Sequence, residues 1–350
     1  MSSKKEIKVL SERDHILLRP TVYVGSVKPT DEKVPIIKDN KLFVEQRTIS
    51  VGMYKLFDEV FSNSLDEAKR MNGKMQKITI SIDSAKNSVT IRDTGNGFYK
   101  GTEINSTSGK SNIETAVSQL RAGSNFENED VEESLVGTNG MGVSLVNVLS
   151  KYFSIETIND KFYYFQDWKH YEGNEPQIQA KTPGMKSGTA VTFIPFSEVF
   201  GYSKWDKEVL SSILILKYDL IKRDPVLGKL EIELEWDGRG IDLGVPFVSE
   251  DSFKINTDIG QITIWEKYEG SGSLSFVNSA LCTGIHQKIV NDFVNDKLQD
   301  TLGHHFYDCL IVLNLPPKYV KFGDQNKTRF VTTREEIESL LTNKFGAKLQ

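Results

Sequence analysis

Two residues of the stretch SVGMYKLFDEVFSNSLDEAKRM (50–71) have side chains suited to chemistry: Glu59 and Asn63, one helical turn apart. If the stretch is helical, they share a face. A carboxylate there could orient and deprotonate a water, while the carboxamide oxygen could hold Mg²⁺ against phosphate oxygens. The same stripe, continued by Asp66, Glu67 and Arg70, is also what the solvated face of an amphipathic helix looks like, and that reading covers Glu67 and Arg70 well. Asn63 fits it less comfortably, because asparagine is a poor helix former.

The run Asp93-Thr94-Gly95-Asn96-Gly97 is, by its composition, a turn. Read chemically, its aspartate can accept a hydrogen bond from an exocyclic amine, and Gly95 and Gly97 let a flat base lie against the backbone. Thr189, in SGTAVTF, either adds a hydroxyl to that network or simply starts a strand. In VGTNGMGVSLVNVLS (136–150) Gly137, Gly140 and Gly142 precede an apolar helical run, so backbone N–H groups could close on an anion. A tight turn accounts for those glycines equally well. The GKS at residues 109–111 is not a P-loop, because the position that needs the earlier glycine is Ile104 and no buried strand leads into it.

The elements that must hold these groups follow from periodicity. Met53, Leu56, Phe57, Val60, Phe61 and Leu65 form one apolar stripe, which predicts a helix from Ser50 to Met71. KITISID and SVTIRD alternate around the SAKN turn and predict a hairpin that ends at Asp93. Residues 112–121 and 143–148 read as helices, and 123–136 as an acidic connection without periodicity. Further strands are expected at 161–166, 189–195, 229–236 and 261–266, with a long helix from Asp206 to Arg223. The order lacks a βαβα rhythm, so an α+β layer with a mostly antiparallel sheet is expected. The turn-rich WDGRGIDLG near residue 240 is the expected seam between domains.

With 350 residues the chain suits two domains at ~100–200 residues each. A net charge of -5 excludes a strong basic field for gripping nucleic acid. Cys282 and Cys309 make no metal spacing and no disulfide framework, and no apolar run reaches the length of a membrane span, so a cytosolic protein is expected.

Taken in order, these elements resemble the Bergerat-fold (GHKL) ATPases, the group that includes type II topoisomerases, the Hsp90 chaperones, MutL and sensor histidine kinases. Within that group, ILLRPTVYVGSV (16–27) is similar to an "RPxxYIGS" stretch of type II topoisomerases, and DEVFSNSLDEA (58–68) to their "DEIxxNxxDEA". LRAGSNF (120–126) looks like the segment before their phosphate lid, and VGTNGMGVSLVNVLS resembles "GxxGxGxxxxNxxS". FVNSALCTG (276–284) is a looser match to a second-domain stretch, and FGDQNKTRF (322–330) looks like the loop carrying a glutamine-threonine-lysine triplet. The mixture of bacterial-like and eukaryote-like features suggests a tailed-phage, gyrase-B-like large subunit.

The resemblance implies a Bergerat ATPase α/β sandwich over residues 1–242, followed by a transducer domain of ribosomal-protein-S5-like fold over 243–350. It implies ATP and Mg²⁺ as ligands, a homodimer that closes on ATP, a captured DNA segment, and a separate cleavage core as partner. Glu59 would be the general base and Asn63 the Mg²⁺ ligand; Asp93, Gly95, Gly97 and Thr189 would take the adenine. Gly137, Asn139, Gly140, Met141 and Gly142 would wrap the phosphates, with Gln325 and Lys327 completing the site. Asn326 replaces the middle threonine of the triplet, Asn96 an arginine of the "DxGxG" box, and Asn125 a lysine after the LxAG stretch; FVNSALCTG also lacks a double glycine. No acidic metal segment for DNA cleavage is found, so a fragment or a separately made subunit is expected. A MutL-like repair ATPase, a noncatalytic nucleotide clamp and, more remotely, an Hsp90-like chaperone are the alternative readings.

Overall fold

The computed structural model describes residues 10–120, 142–248, 251–278, 280–302, 306–323 and 329–346. In chain order, helices α1 (Glu12–Leu18) and α2 (Thr21–Val24) precede the hairpin of β1 (Thr30–Lys38) and β2 (Lys41–Ile49), then α3 (Val51–Arg70), β3 (Lys77–Asp83) and β4 (Ser88–Asp93). Next come α4 (Asn112–Ser118), α5 (Gly142–Val148), β5 (Ser150–Ile158), β6 (Phe162–Lys169), β7 (Glu172–Gly173), β8 (Gln177–Ala180) and β9 (Gly188–Pro195). The rest is α6 (Lys207–Arg223), β10 (Glu231–Trp236), β11 (Arg239–Ile241), β12 (Phe253–Thr257), β13 (Gly260–Glu266), β14 (Leu274–Val277), β15 (Ala280–Leu281), β16 (Thr283–Gly284), α7 (Ile285–Leu302), β17 (Tyr307–Leu313), β18 (Arg329–Phe330) and α8 (Arg334–Gly346).

These elements form two compact units. The first holds the described residues of Met1–Pro29, Ser50–Glu129 and Val136–Lys204, the second those of Thr30–Ile49 and Trp205–Gln350. In the first unit, β3, β4, β9, β5, β6 and β7 lie side by side in that order, with β8 on β6, and every pairing is antiparallel. Alternation sorts their side chains: Ile78, Ile80, Ile82, Val89, Ile91, Phe153 and Phe193 are buried on one face. Met53, Leu56, Phe57, Val60 and Phe61 of α3, with Leu145, Val146 and Leu149 around α5, are buried too, and α3 packs on α5 and β4. Each such side chain contributes about 1.5–3 kcal/mol by leaving water.

Helix α3 starts where its cap dictates. Ser50 takes an extended conformation, accepts from the Met53 N–H, and gives its own hydroxyl proton to the Val27 carbonyl at 2.6 Å. The hairpin β3–β4 forms in the register Ile80↔Ile91 and ends at Asp93. Asp93 follows the parity of Val89 and Ile91, so a carboxylate sits on the buried face of the sheet.

The second unit is built on a separate sheet of order β12-β13-β17-β14-β15, in which β14 and β17 run parallel. Ile262, Ile264, Ile311 and Leu313 of that sheet share a core with Val294 and Leu298 of α7 and Ile337 and Leu341 of α8. The β1–β2 hairpin belongs to this unit and turns through Asp39 and Asn40, both left-handed, as a two-residue turn requires. WDGRGIDLG forms the β10–β11 hairpin, which turns through Asp237 and Gly238. No helix among the described residues is long and apolar enough to cross a membrane.

Candidate functional site

Helix α3 presents its polar residues in two ways. Glu59 is partly buried, with Oε1 held by Lys55 Nζ at 2.6 Å one turn earlier. Its other oxygen, Oε2, lies against the first residue of α5, where a β-carbon on Gly142 would stand 2.1 Å away. Asn63 is exposed although residues 60–62 and 64–66 on either side are all buried. Asn63 is therefore accessible in the middle of a buried stretch of α3. Exposure suits a solvated amide and equally leaves its oxygen accessible to a ligand.

Asp93 is 7% exposed, and its carboxylate is almost saturated by donors. Oδ1 accepts from the Gly95 N–H at 2.9 Å and the Thr189 N–H at 3.2 Å, and Oδ2 accepts from Ser64 Oγ at 3.0 Å. Burial on an apolar face pushes its pKa up, partly offset by these hydrogen bonds and reinforced by the charge of Glu67. One acceptor position on Oδ2 remains for a ligand donor. The chain leaves the site through Gly97, which is left-handed at φ +72° and would set a β-carbon 2.3 Å from the Ile158 carbonyl oxygen, so only glycine fits.

Thr189 is half-buried at the start of β9, directly across from Thr157 of β5. The two hydroxyl oxygens are 3.1 Å apart, and Thr157 Oγ1 also accepts from the Phe98 N–H at 3.1 Å. Ser64, Thr157 and Lys55 are site residues that sequence reading missed. Their contacts join elements far apart in the chain, except for Lys55, whose i,i+4 spacing to Glu59 was a readable signal.

The surface reading of Glu67 is corrected by its contacts. Its Oε1 accepts from the Asn96 N–H at 3.2 Å and its Oε2 from Arg70 Nε at 3.1 Å, so it ties the glycine-rich loop to α3. Arg70, on the same helix, is the cation paired with Glu67. The 109–111 stretch is an ordinary loop, as its spacing suggests: Lys110 pairs with Glu114 at 2.7 Å and Ser111 caps α4.

The structure thus brings Glu59, Asn63, Asp93, Gly95, Gly97, Gly142 and Thr189 onto α3, α5 and the adjoining strand ends of one unit. Gly137, Asn139, Gly140, Met141, Gln325 and Lys327 lie outside the described residues. No group of three or more His, Cys, Asp or Glu suited to a metal occurs among the described residues. The donor set still fits Mg²⁺, which is commonly held by one or two protein oxygens plus substrate phosphates. The exposed amide of Asn63 matches that use.

No family model matches the chain. It is 30% identical over 215 residues to DNA topoisomerase 2 of Drosophila melanogaster, covering 60% of this chain and 14% of that protein. It is 29% identical over 321 residues to DNA topoisomerase 2 of Candida albicans, covering 84% of this chain and 22% of that protein. The chain thus spans less than a quarter of the length of these curated relatives. Among solved structures, the ATPase region of Saccharomyces cerevisiae topoisomerase II bound to ICRF-187 superposes with a TM-score of 0.75 at 22% identity, covering 97% of this chain and 92% of that one. The ATPase and transducer domains of DNA topoisomerase II from Balamuthia mandrillaris also give 0.75, at 21% identity, covering 100% of this chain and 93% of that one. The α+β architecture expected from the sequence is therefore the one present, and the fold of this chain is that of the ATPase and transducer domains of type II DNA topoisomerases.

Proposed function

We propose that this chain binds and hydrolyses ATP as the N-terminal gate of a type II DNA topoisomerase, closing as a homodimer around a DNA segment that a separate cleavage core passes. The observation that carries the reading is the arrangement on α3: Glu59 against Gly142, Asn63 open to solvent, and Ser64 holding Asp93. One helix thereby serves the reacting end and the base-binding end of a nucleotide. The similarity to DNA topoisomerase 2 proteins along most of the chain supports the same reading. The boundary near residue 242 between nucleotide-binding and transducer domains, and the tailed-phage, gyrase-B-like origin, belong to this proposal.

In the mechanism, Glu59 Oε2 accepts a proton from the attacking water while Lys55 fixes the other oxygen and so the carboxylate plane. Asp93 accepts a hydrogen bond from the exocyclic amine N–H of the base at its open Oδ2 position, with Thr189 beside it. Asn63 would hold Mg²⁺, which when bound neutralises charge on the phosphates. The backbone of residues 137–142, with Gln325 and Lys327, would hold the phosphates.

The test is Mg²⁺-dependent ATP binding and turnover for the wild type beside Glu59→Gln. The variant is expected to bind ATP and lose hydrolysis by at least about 100-fold, as removal of a general base does. Equal turnover by both proteins would remove Glu59 from the mechanism, and absence of ATP binding by the wild type would end the proposal.

A further inference from the structure

Helix α5 carries a polar residue near its far end, Asn147, the asparagine of the VGTNGMGVSLVNVLS stretch that the nucleotide site leaves unused. It lies five residues beyond Gly142, about 7.5 Å along the helix axis and rotated by about 140°, so it sits on another face of α5 from the one that meets Glu59. Asn147 is 4% exposed, and its Nδ2 donates to the Val117 carbonyl at 2.9 Å, which fixes the orientation of the amide. Its Oδ1 finds no hydrogen-bond partner among the described residues. A buried acceptor left unpaired costs about 1–3 kcal/mol, so this position calls for a donor. Asn147 lines a cavity of about 320 Å³ bounded by α1, α4, α5 and the β6–β7 turn, a volume at the lower end of the ~300–1,000 Å³ usual for small-molecule sites. At its mouth Arg13 lies over the Tyr171 ring at 3.9 Å, and Tyr171 in turn leans on Phe196, with ring centroids 5.1 Å apart. Stacking leaves the edge of the guanidinium available, and Arg13 makes no ion pair among the described residues. Glu114 gives Oε1 to Lys110 at 2.7 Å and keeps Oε2 open. Trp168, almost fully buried, forms an apolar wall.

We propose that this cavity is a second binding site, which takes a small zwitterion with the size and charge pattern of a free α-amino acid. The ligand carboxylate pairs with the guanidinium fork of Arg13. The ligand ammonium, with three protons to give, donates to Asn147 Oδ1 and Glu114 Oε2, and Trp168 and Tyr171 cover the apolar part. The arrangement selects against simpler ligands. A plain amine leaves Arg13 without a partner, a plain carboxylate leaves Asn147 unpaired, and a phosphate dianion meets Glu114 as a like charge. The inference goes beyond the nucleotide reading and uses none of its residues.

The experiment is calorimetric titration of the full chain near neutral pH with L-leucine and L-phenylalanine, each beside the analogue that lacks its ammonium and the one that lacks its carboxylate. At least one amino acid is expected to bind, with both of its analogues weaker by at least about tenfold, the worth of one hydrogen bond to a charged group. Arg13→Met keeps the stem over Tyr171 and removes the fork. It should weaken the amino acid to the level of its amine analogue and leave that amine unchanged. Asn147→Leu should weaken the amino acid to the level of its carboxylate analogue; should that variant not fold, Arg13→Met decides alone, since Arg13 is exposed. The inference is overturned if neither amino acid binds the wild type, if the analogues bind as tightly as the parent, or if Arg13→Met leaves the affinity unchanged. Displacement of the amino acid by ATP overturns it too, by putting the ligand in the nucleotide site. The nucleotide reading is judged separately, by ATP binding and turnover.

Discussion

The Glu59 carboxylate occupies the space in which a side chain at residue 142 would begin, since a β-carbon on Gly142 would lie 2.1 Å from Glu59 Oε2. Gly142 opens helix α5 with an ordinary backbone, so alanine is compatible with the local conformation and favoured by helix propensity. What has to move is the end of a flexible side chain. Gly142→Ala is therefore expected to keep or slightly raise stability in urea unfolding while lowering kcat for ATP by at least about tenfold, each 1.4 kcal/mol of lost transition-state stabilisation being tenfold. Unchanged kcat would mean that the carboxylate position here does not matter to turnover.

The ion pair between Lys55 and Glu59 is partly shielded, with the lysine side chain only 11% exposed. Replacing it in Lys55→Met keeps the apolar stem and removes the charge. An i,i+4 pair contributes about 0.3–0.5 kcal/mol when exposed, so stability should change little. The carboxylate, however, loses the partner that holds its plane. The expected result is a fall in kcat with KM almost unchanged, read from steady-state turnover; a change confined to KM would place Lys55 at binding instead.

Burial raises the pKa of Asp93 above its unfolded value of about 3.9. The folded state then holds the proton more tightly than the unfolded state, so this group's contribution declines as pH rises from the unfolded value through the raised folded one. Asp93→Asn removes the titration. Urea midpoints measured from pH 4 upward should therefore show a difference between variant and wild type that grows in the variant's favour until Asp93 is fully ionised. A constant difference across that range would contradict the assignment.

His286, at the start of α7, carries the opposite sign. It is fully buried, its pKa is depressed by burial to about 4, and its Nε2 lies 2.8 Å from Ser275 Oγ. Ser275 gives its own proton to the Cys282 carbonyl, so Nε2 carries the hydrogen, and Nδ1 finds no partner among the described residues. A folded pKa below the unfolded value of about 6.5 means that stability is complete above that pH and is lost as pH falls toward about 4. The loss is on the order of 3 kcal/mol when the shift is taken at 1.36 kcal/mol per pH unit. His286→Gln, which keeps a donor for Ser275, should flatten the stability profile between pH 6.5 and 4; an unchanged slope would assign the loss to other groups.

How much could be read in advance differs between the elements of the site. The span of α3 was legible because a cap at Ser50 and an apolar stripe at helical spacing agree. The hairpin ending at Asp93 was legible because alternation and turn residues agree. Strand β5, SKYFSIETI, was not, since its buried residues cluster at Phe153, Ser154 and Ile155 and blur the alternation. Thr157 went unseen with it.

By itself, then, the sequence determined the local elements and the residue types at their ends, because capping, periodicity and turn chemistry act over a few neighbouring residues. It also placed Glu59 and Asn63 on one helix, and Asp93 and Thr189 at the end of one strand and the start of another. Only the tertiary structure decided which of these groups meet. Ser64 reaches Asp93, Thr157 faces Thr189, Glu67 holds Asn96 and Glu59 fits against Gly142 because strand register and helix packing bring distant residues within hydrogen-bond range. The exposure of Asn63 is of the same kind. A helical stripe says which residues share a face, and packing against the rest of the chain says what that face looks onto.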